Sequence, residues 1–418
     1  YLRYGEKTIK ITIDDRNLLA ILQPKLVEPV KDENIEIRKS ITDPIGTNGL
    51  CDLLQKAKSV VILSDDNTRS TPVRDIMPII LNELNKAGVK DKNIKIVVAL
   101  GTHQPMSSSE IAKRFSIDIA RKIEIINHEP FNKDKLTYLG YTYLGTPIWI
   151  NSVVMQADFI IGIGNIVPHR ISGWSGGAKI IQPGVSGSLT TGMTHLLAAR
   201  YHCEQIIGNV NNPVRKEMED IARKVGLNFI VNTVLNRNGE IVKVVGGDFI
   251  FAHREGVELA RTIYGVRISE PADIAIIDSY PADLDFWQAI KALFVGQLLV
   301  KKGGAIIFAS PCYEGVCPTH GALLELASLT LDQLKAKIEE GQIKDLAAAA
   351  DTIMRKEILQ KAQVKMYSDC IPEDHIRQLG FIPISSVQKA LEESVHEYGS
   401  DATVIVATHT AELLPLIG

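Results

Sequence analysis

The feature that most constrains this chain is a repeated alternation of short, fully apolar runs with polar segments and helical stretches. Apolar runs occur at Val60–Leu63, Ile94–Leu100 and Phe159–Ile163, and a polar or glycine-rich segment follows each of them. Short runs without polar alternation are typical of strands that are buried on both faces, and such strands belong to parallel sheets covered by helices. The sequence therefore predicts an α/β protein with mostly parallel sheets.

A second series of the same kind begins near residue 268. Asp273–Asp278 predicts a strand, Leu284–Lys301 a helix and Ala305–Phe308 another strand. Because 418 residues are too many for one ordinary domain, two domains are expected. We predict an N-terminal α/β domain over 1–267 and a C-terminal α/β domain over 268–418, with the active-site cleft between them.

The remaining segments differ in how clearly their sequence patterns predict helices and strands. Helical patterns fill 330–360 and 384–397, and short apolar runs near Val364–Tyr367 and Thr403–Val406 predict strands. The first 55 residues, by contrast, predict only an N-terminal extension of two short strands followed by proline-containing loops. The extension is assigned to the N-terminal domain.

Composition argues against several classes of function. The net charge of −3 gives no electrostatic reason to expect nucleic acid or an anionic membrane as a partner. No apolar run approaches the length that spans a bilayer. The five cysteines are an odd number that fits reduced thiols, and the spacing of Cys312 and Cys317 is unusual for zinc. We expect a cytoplasmic protein.

Polar side chains follow the first two predicted strands directly. Asp65–Arg69 comes after the first strand, and His103 comes after the second. Ligand sites in open α/β sheets form at the carboxyl ends of strands, and an arginine such as Arg69 can bind a carboxylate or phosphate through two hydrogen bonds. A solvated helix-capping turn and a surface histidine would explain the same residues, so these segments alone leave the function open.

The segment Asn165–Lys179 follows the third predicted strand and is the most informative part of the chain. It contains His169 and Lys179 together with three glycines, which permit close approach of the backbone to a ligand. It fails the P-loop pattern, because no glycine directly precedes Lys179 and no serine or threonine follows it. Gly162–Gly164 lacks the third glycine of a dinucleotide fingerprint. Long loops in compact domains are usually functional.

Three further residues indicate a function only in combination with these segments. His195 lies in a predicted helix, where a histidine is more often packed than a ligand. Gln288 and Lys291 are three residues apart, so they share one face near a helix N-terminus. That position suits a carboxylate or another anion, although an ordinary first turn with an exposed lysine is also compatible.

Taken together, these segments resemble the nickel-dependent lactate racemase family of 2-hydroxyacid racemases and epimerases. The resemblance is carried by Asp65–Pro72, Ala99–Gln104, Gly164–Gly184, Thr194–Arg200 and Ser279–Lys291. These stretches extend over both predicted domains, and their combination is specific although each piece alone is not. The resemblance implies a racemase of a small 2-hydroxy acid, first of all one that interconverts L- and D-lactate, and otherwise a racemase or epimerase of another 2-hydroxy acid.

The resemblance also implies a cofactor and a role for each residue. The cofactor is nickel(II) in pyridinium-3,5-bisthiocarboxylic acid mononucleotide, the nickel-pincer nucleotide, linked covalently to Lys179, with His195 as the protein ligand to nickel. His103 and His169 are the implied acid/base pair for hydride transfer through a 2-keto acid. The implied cofactor contacts are Asp66, Asn67, Thr68 and Arg69, and the implied substrate contacts are Arg69, Trp287, Gln288 and Lys291. Proteins that synthesise and insert the cofactor are implied partners.

Elementary chemistry is consistent with these roles. One histidine cannot hold nickel(II) by itself, and no second-ligand pattern surrounds His195, so a metal there needs mostly non-protein ligands. A planar pincer with one imidazole gives the square-planar field that nickel(II) favours. Two enantiomers present their hydroxyl groups from opposite sides, so two bases are required. The chain departs from the family in that Trp287 stands where a typical member has a tyrosine, and no tryptophan follows it.

Two other classes of function remain open at the level of the sequence. An NAD-dependent 2-hydroxyacid dehydrogenase would use one histidine as base and an arginine for the carboxylate, but the glycine fingerprint is incomplete. A non-catalytic nucleotide- or anion-binding protein would leave both His103 and His169 without a chemical role. Nickel with a visible chromophore, tight NAD binding, or neither would distinguish the three.

Overall fold

The computed structural model describes all 418 residues and contains two six-stranded sheets. The first sheet is parallel except at one edge, where Ile241–Gly247 runs antiparallel to its neighbour. Its strands, in spatial order, are Ile241–Gly247, Phe229–Leu235, Phe159–Asn165, Val60–Ser64, Ile94–Val98 and Glu124–Asn127. The three apolar runs that predicted strands in this half are thus adjacent in the sheet.

The second sheet is parallel throughout. Its strands, in spatial order, are Ile382–Pro383, Gln363–Tyr367, Val300–Ala309, Ala272–Asp278, Val404–Ala407 and Leu18–Leu22. The prediction of an α/β protein with mostly parallel sheets is therefore confirmed.

Helices cover the sheets and fill the connections between strands. In chain order they are Glu33–Thr42, Leu50–Leu53, Val73–Lys86, Ser108–Phe115, Ile117–Lys122, Ser152–Met155, Ser188–Ala198, Cys203–Ile206, Pro213–Val225, Phe251–Tyr264, Phe286–Leu299, Ala322–Ala327, Leu331–Glu339, Leu346–Lys361, Glu373–Gln378 and Val387–Tyr398. Four two-stranded sheets complete the fold: Leu2–Tyr4 with Lys7–Ile9, Leu136–Tyr141 with Pro147–Asn151, Pro168–His169 with Gly173–Trp174, and Gly265–Ile268 with Leu414–Ile417. No helix is long and apolar enough to cross a membrane.

The N-terminal segment differs from its prediction. Besides the hairpin Leu2–Tyr4 and Lys7–Ile9, it contains the strand Leu18–Leu22, which pairs with Val404–Ala407 in the second sheet. A helix, Glu33–Thr42, then begins at the side-chain cap of Asp32. The first 22 residues therefore pack with the C-terminal half, because their apolar side chains are buried against the second sheet. The boundary at 267/268 remains a prediction for the rest of the chain.

The order of strands in the first sheet determines where a ligand can bind. From Val60–Ser64 the chain continues to Ile94–Val98 on one side, and it later returns to Phe159–Asn165 on the other side. The loops after these strands leave in opposite directions and open a crevice at their carboxyl ends, which is the usual ligand position in open α/β sheets. Asp66, His103 and His169 all follow strands at this edge.

Candidate active site

A deep cleft lies between this edge of the first sheet and the helix Phe286–Leu299 of the second half. Its empty space, counting the part open to solvent, is about 1100 Å³, which suffices for a small-molecule ligand. Nine of the predicted residues line it: Asp66, Arg69, His103, His169, Lys179, His195, Trp287, Gln288 and Lys291. Asn67 and Thr68 line an adjoining hollow instead, and the Asn67 amide donates to Glu110 at 2.6 Å.

The His103 ring is held at both nitrogens. Its Nδ1 lies 2.6 Å from Oδ2 of the buried Asp66, and its Nε2 lies 3.0 Å from Nε2 of Gln288. An ionised carboxylate only accepts hydrogen bonds, so Nδ1 carries the hydrogen and Nε2 presents its lone pair. Burial lowers the pKa of His103 by more than Asp66 raises it, so the ring is a neutral base at pH 7.

Two cations converge on the amide of Gln288. Arg69 Nη1 lies 3.4 Å from Gln288 Oε1, and Lys291 Nζ donates to the same oxygen. Burial, followed by the charges of Arg69 and Lys179, holds the pKa of Lys291 well below its usual range. A bound carboxylate would relieve the repulsion between these cations, so this place in the cleft suits an anionic substrate.

His169 enters the cleft from the loop after Phe159–Asn165. The backbone N–H of Ile171 and the hydroxyl of Ser172 lie 3.2 and 3.3 Å from its Nδ1. Nε2 has no protein partner. Burial and the charge of Lys179 lower the pKa of His169 well below its usual value, so this ring is also uncharged at neutral pH. The strands before His103 and His169 flank Val60–Ser64, so the two histidines enter the cleft from loops on opposite sides of that strand.

Lys179 lies in a short 3₁₀ turn, Gly177–Ile180, at the end of the glycine-rich loop. Its amine has no hydrogen-bond partner. Burial, then the charges of Arg69 and Arg215, lower the pKa of Lys179 to about 7. A large fraction of the amine is therefore neutral at physiological pH and can act as a nucleophile.

The glycines around Lys179 serve chain packing. A Cβ atom added to Gly162 would lie 2.7 Å from the side chain of Ile180. Gly176 adopts a φ of +73°, and a Cβ there would lie 2.8 Å from Asn232 Oδ1. Gly162 thus lets the turn with Lys179 pack closely on the strand.

Arg215 fixes the loop that carries both His169 and Lys179. It is fully buried, and its guanidinium donates to the carbonyl oxygens of Ser172 at 3.2 Å, Gly176 at 3.1 Å and Trp174. Sequence reasoning missed Arg215, because a charged residue in an amphipathic helix normally predicts exposure.

Replacing Arg215 with methionine is expected to lower the free energy of unfolding by at least about 3 kcal/mol, because three loop carbonyls lose their donor. Urea denaturation measures this loss. Arg223→Met, on the same helix but exposed in a surface ion pair, is the matched control and should cost less than about 0.5 kcal/mol. Equal stability of the two variants would contradict the role given to Arg215.

His195 projects from the helix Ser188–Ala198 into the cleft. Its Nδ1 donates to the carbonyl oxygen of Thr191 at 2.8 Å, so Nε2 keeps its lone pair and has no protein partner. A metal-binding histidine usually has this arrangement, in which a hydrogen bond fixes the tautomer. No group of three or more histidine, cysteine, aspartate or glutamate side chains in the structure could hold a metal. A metal at His195 would therefore take its other ligands from a cofactor, and the residues fit that requirement.

Trp287 lies between two histidine rings. Its ring centroid is 6.5 Å from that of His195 and 4.0 Å from that of His320, both in stacked orientations. His320 is buried and bonds Asp345 at 2.8 Å and Thr102 at 2.9 Å. Sequence reasoning missed His320, since nothing local marks it. Its position fixes Trp287 as a wall of the cleft.

Two family models match the chain over most of its length. The lactate racemase N-terminal domain matches residues 4–206, and the lactate racemase C-terminal domain matches residues 268–413. The chain belongs to the lactate racemase family. Membership confirms the predicted class of enzyme, a racemase and hence an isomerase, and it argues against the dehydrogenase and the non-catalytic binding protein.

Two individual relatives align with nearly the whole chain. The lactate racemase of Thermoanaerobacterium thermosaccharolyticum is 28% identical, with 96% of each chain covered. The lactate racemase of Lactiplantibacillus plantarum is 29% identical, with 97% of this chain and 96% of that protein covered. The alignments therefore cover nearly the whole length of both relatives.

Solved structures show the same fold. The lactate racemase apoprotein from T. thermosaccharolyticum superimposes with a TM-score of 0.89 at 26% identity, covering 99% of both chains. A protein from Thermotoga maritima superimposes with a TM-score of 0.76 at 22% identity over 92% of this chain and 98% of that one. The second likeness concerns the fold alone.

Proposed function

We propose that this family member racemises a small 2-hydroxy acid, with lactate as the first candidate, by moving a hydride from C2 and returning it to the other face of a 2-keto acid. The observation that carries the proposal is the pair of histidines, His103 and His169, which enter one cleft from loops on opposite sides of Val60–Ser64, together with the cations that converge in that cleft. Two bases are needed because the two enantiomers present their hydroxyl groups in opposite directions.

The side chains would divide the work as follows. Arg69 and Lys291 bind the substrate carboxylate, and Gln288 orients it beside His103. His103 Nε2 accepts the hydroxyl proton of one enantiomer, and Asp66 stabilises the imidazolium that forms. His169 gives a proton to the carbonyl oxygen of the turned 2-keto acid, so that the product is the other enantiomer, and exchange with solvent then removes the proton from His103 and restores the one on His169. When the other enantiomer reacts, the two histidines exchange these tasks. Each base returns its proton to the carbonyl oxygen when the reaction runs backwards.

The hydride requires an acceptor that no side chain supplies. A nickel-pincer nucleotide, when bound, supplies this acceptor and the remaining ligands of the metal. Lys179 would hold it through the free amine, and His195 Nε2 would bind the nickel. Under this proposal the protein depends on partners that synthesise and insert the cofactor.

Chiral analysis of L- and D-lactate with cofactor-loaded enzyme tests the proposal. Each enantiomer should be converted to a racemic mixture, and deuterium at C2 should be found largely in the product. Rapid exchange of that deuterium with water would indicate proton abstraction and overturn the hydride route. Absence of racemisation with lactate and with other 2-hydroxy acids would overturn the proposed function as a whole.

Replacing His195 with alanine is expected to lower the nickel content per chain at least about tenfold, because the sole protein ligand is lost. The mass adduct on Lys179 should remain, since the covalent bond does not involve His195. Elemental analysis and intact mass measure the two quantities. His202→Ala, an exposed histidine seven residues further on, is the control and should keep its nickel. Unchanged nickel in His195→Ala would mean that His195 is only a packed helix residue.

A further inference from the structure

The inner part of the cleft contains a buried carboxyl group that no protein donor satisfies. Asp351 lies in the helix Leu346–Lys361, lines the cleft and is 5% exposed, and its Oδ2 has no hydrogen-bond partner. Arg355 forms a buried ion pair with this carboxyl group, in which Nε lies 3.9 Å from Oδ2, beyond hydrogen-bond distance, and itself has no acceptor. Its other nitrogens donate to Leu379 and Thr352. Buried polar groups are nearly always satisfied, so this carboxyl indicates a missing donor.

The surroundings of Asp351 indicate what the donor belongs to. Trp287, Ile290, Lys291 and Phe294 line the cleft from one face of the helix Phe286–Leu299. Asp351 thus lines the same cleft as the carboxylate-binding cations and the apolar side chains of Ile290 and Phe294. A 2-hydroxy acid whose carboxylate is bound at Arg69 and Lys291 would extend its carbon chain into this space.

The chemistry of the cleft narrows the class of donor. Arg69 and Lys291 already line it, so an additional cationic group on the substrate would meet repulsion. A hydroxyl group is neutral and donates readily to a carboxylate. Thr191 Oγ1, also on the wall of the cleft, is a second buried polar atom without a partner. A methyl group as small as that of lactate would leave both atoms unsatisfied.

We propose that Asp351 is a specificity-determining residue that accepts a hydrogen bond from a hydroxyl group on the substrate chain beyond C2. The substrate class is then 2-hydroxy acids that carry at least one further hydroxyl group. This inference rests on the proposed racemase function and adds the identity of the substrate side chain. Asp351 takes no part in the chemical steps at C2.

Matched pairs of substrates test the role of Asp351. The pairs are 2-hydroxybutanoate with 2,4-dihydroxybutanoate, and 2-hydroxyhexanoate with 2,6-dihydroxyhexanoate, assayed by chiral analysis with cofactor-loaded enzyme. In at least one pair kcat/KM should favour the hydroxylated member about 10- to 100-fold, because a hydrogen bond to a charged group is gained. Asp351→Leu should abolish or invert this ratio. Asp351→Asn keeps one acceptor oxygen and should retain part of it.

Comparing kcat/KM for the two substrates of a pair within one variant distinguishes a change in specificity from a loss of folded protein, because a loss of folded protein lowers both values alike. Met354→Leu, one turn further along the same wall, is the matched control and should change both members of a pair alike. The inference is overturned if wild-type kcat/KM is nearly equal for the two members of both pairs, or if Asp351→Leu leaves their ratio unchanged. In either case the proposed function still stands, provided that some member is racemised. If no member is racemised, the proposed function fails, and the inference fails with it.

Discussion

Replacing His103 or His169 with alanine is expected to reduce racemisation at least about 100-fold in both directions. A base must lie within about 3 Å of the proton that it takes, directly or through one water, so neither histidine can substitute for the other across the cleft. Both enantiomers lie on one reversible path, and losing either base interrupts it. Initial rates from each pure enantiomer measure the effect.

Equal cofactor loading makes the comparison valid. Nickel content and adduct mass should therefore be determined for each variant, and rates should be expressed per loaded chain. His396→Ala removes an exposed histidine far along the chain and should keep the wild-type rate. If either His103→Ala or His169→Ala retains most of its activity in both directions, the two-base mechanism is wrong for this protein.

Replacing Lys179 with alanine is expected to abolish the covalent adduct and with it essentially all racemisation. Intact mass of loaded wild-type enzyme should exceed the mass of the unloaded chain by a nucleotide-sized group, and the variant should lack this increment. The cleft contains a second buried lysine, Lys291, whose pKa is also lowered. Lys291→Ala is therefore the matched control, and it should keep the adduct while losing substrate binding.

The pH dependence of adduct formation tests the same assignment independently. The pKa of Lys179 is lowered to about 7, so the neutral amine predominates above this pH and decreases about tenfold for each unit below it. Attachment should be constant above about pH 8 and slow progressively below pH 7. An adduct that persists in Lys179→Ala, or a rate that keeps rising up to the usual lysine pKa of 10.5, would contradict the assignment.

Local patterns in the sequence predicted most of the architecture. Uninterrupted apolar runs predicted the central strands Val60–Ser64, Ile94–Val98 and Phe159–Asn165. Such signals lie within a few residues of each other, so one chain suffices to read them. The polar segments after three strands also predicted a ligand site, because parallel strands direct their carboxyl ends to one edge of the sheet. The role of each residue in them came from the family resemblance.

Only the tertiary structure decided which distant segments meet. Leu18–Leu22 joins the second sheet because it pairs with Val404–Ala407, almost the whole chain away. Thr102 and His320 are 218 residues apart in sequence and form a hydrogen bond beneath Trp287. Burial, which the sequence did not predict for these charged residues, decided the roles of two others. Arg215 donates hydrogen bonds to a loop from an amphipathic helix, and Asp351 Oδ2 has no hydrogen-bond donor. Periodicity encodes which face of an element is apolar, whereas the partner of that face depends on packing summed over the whole fold.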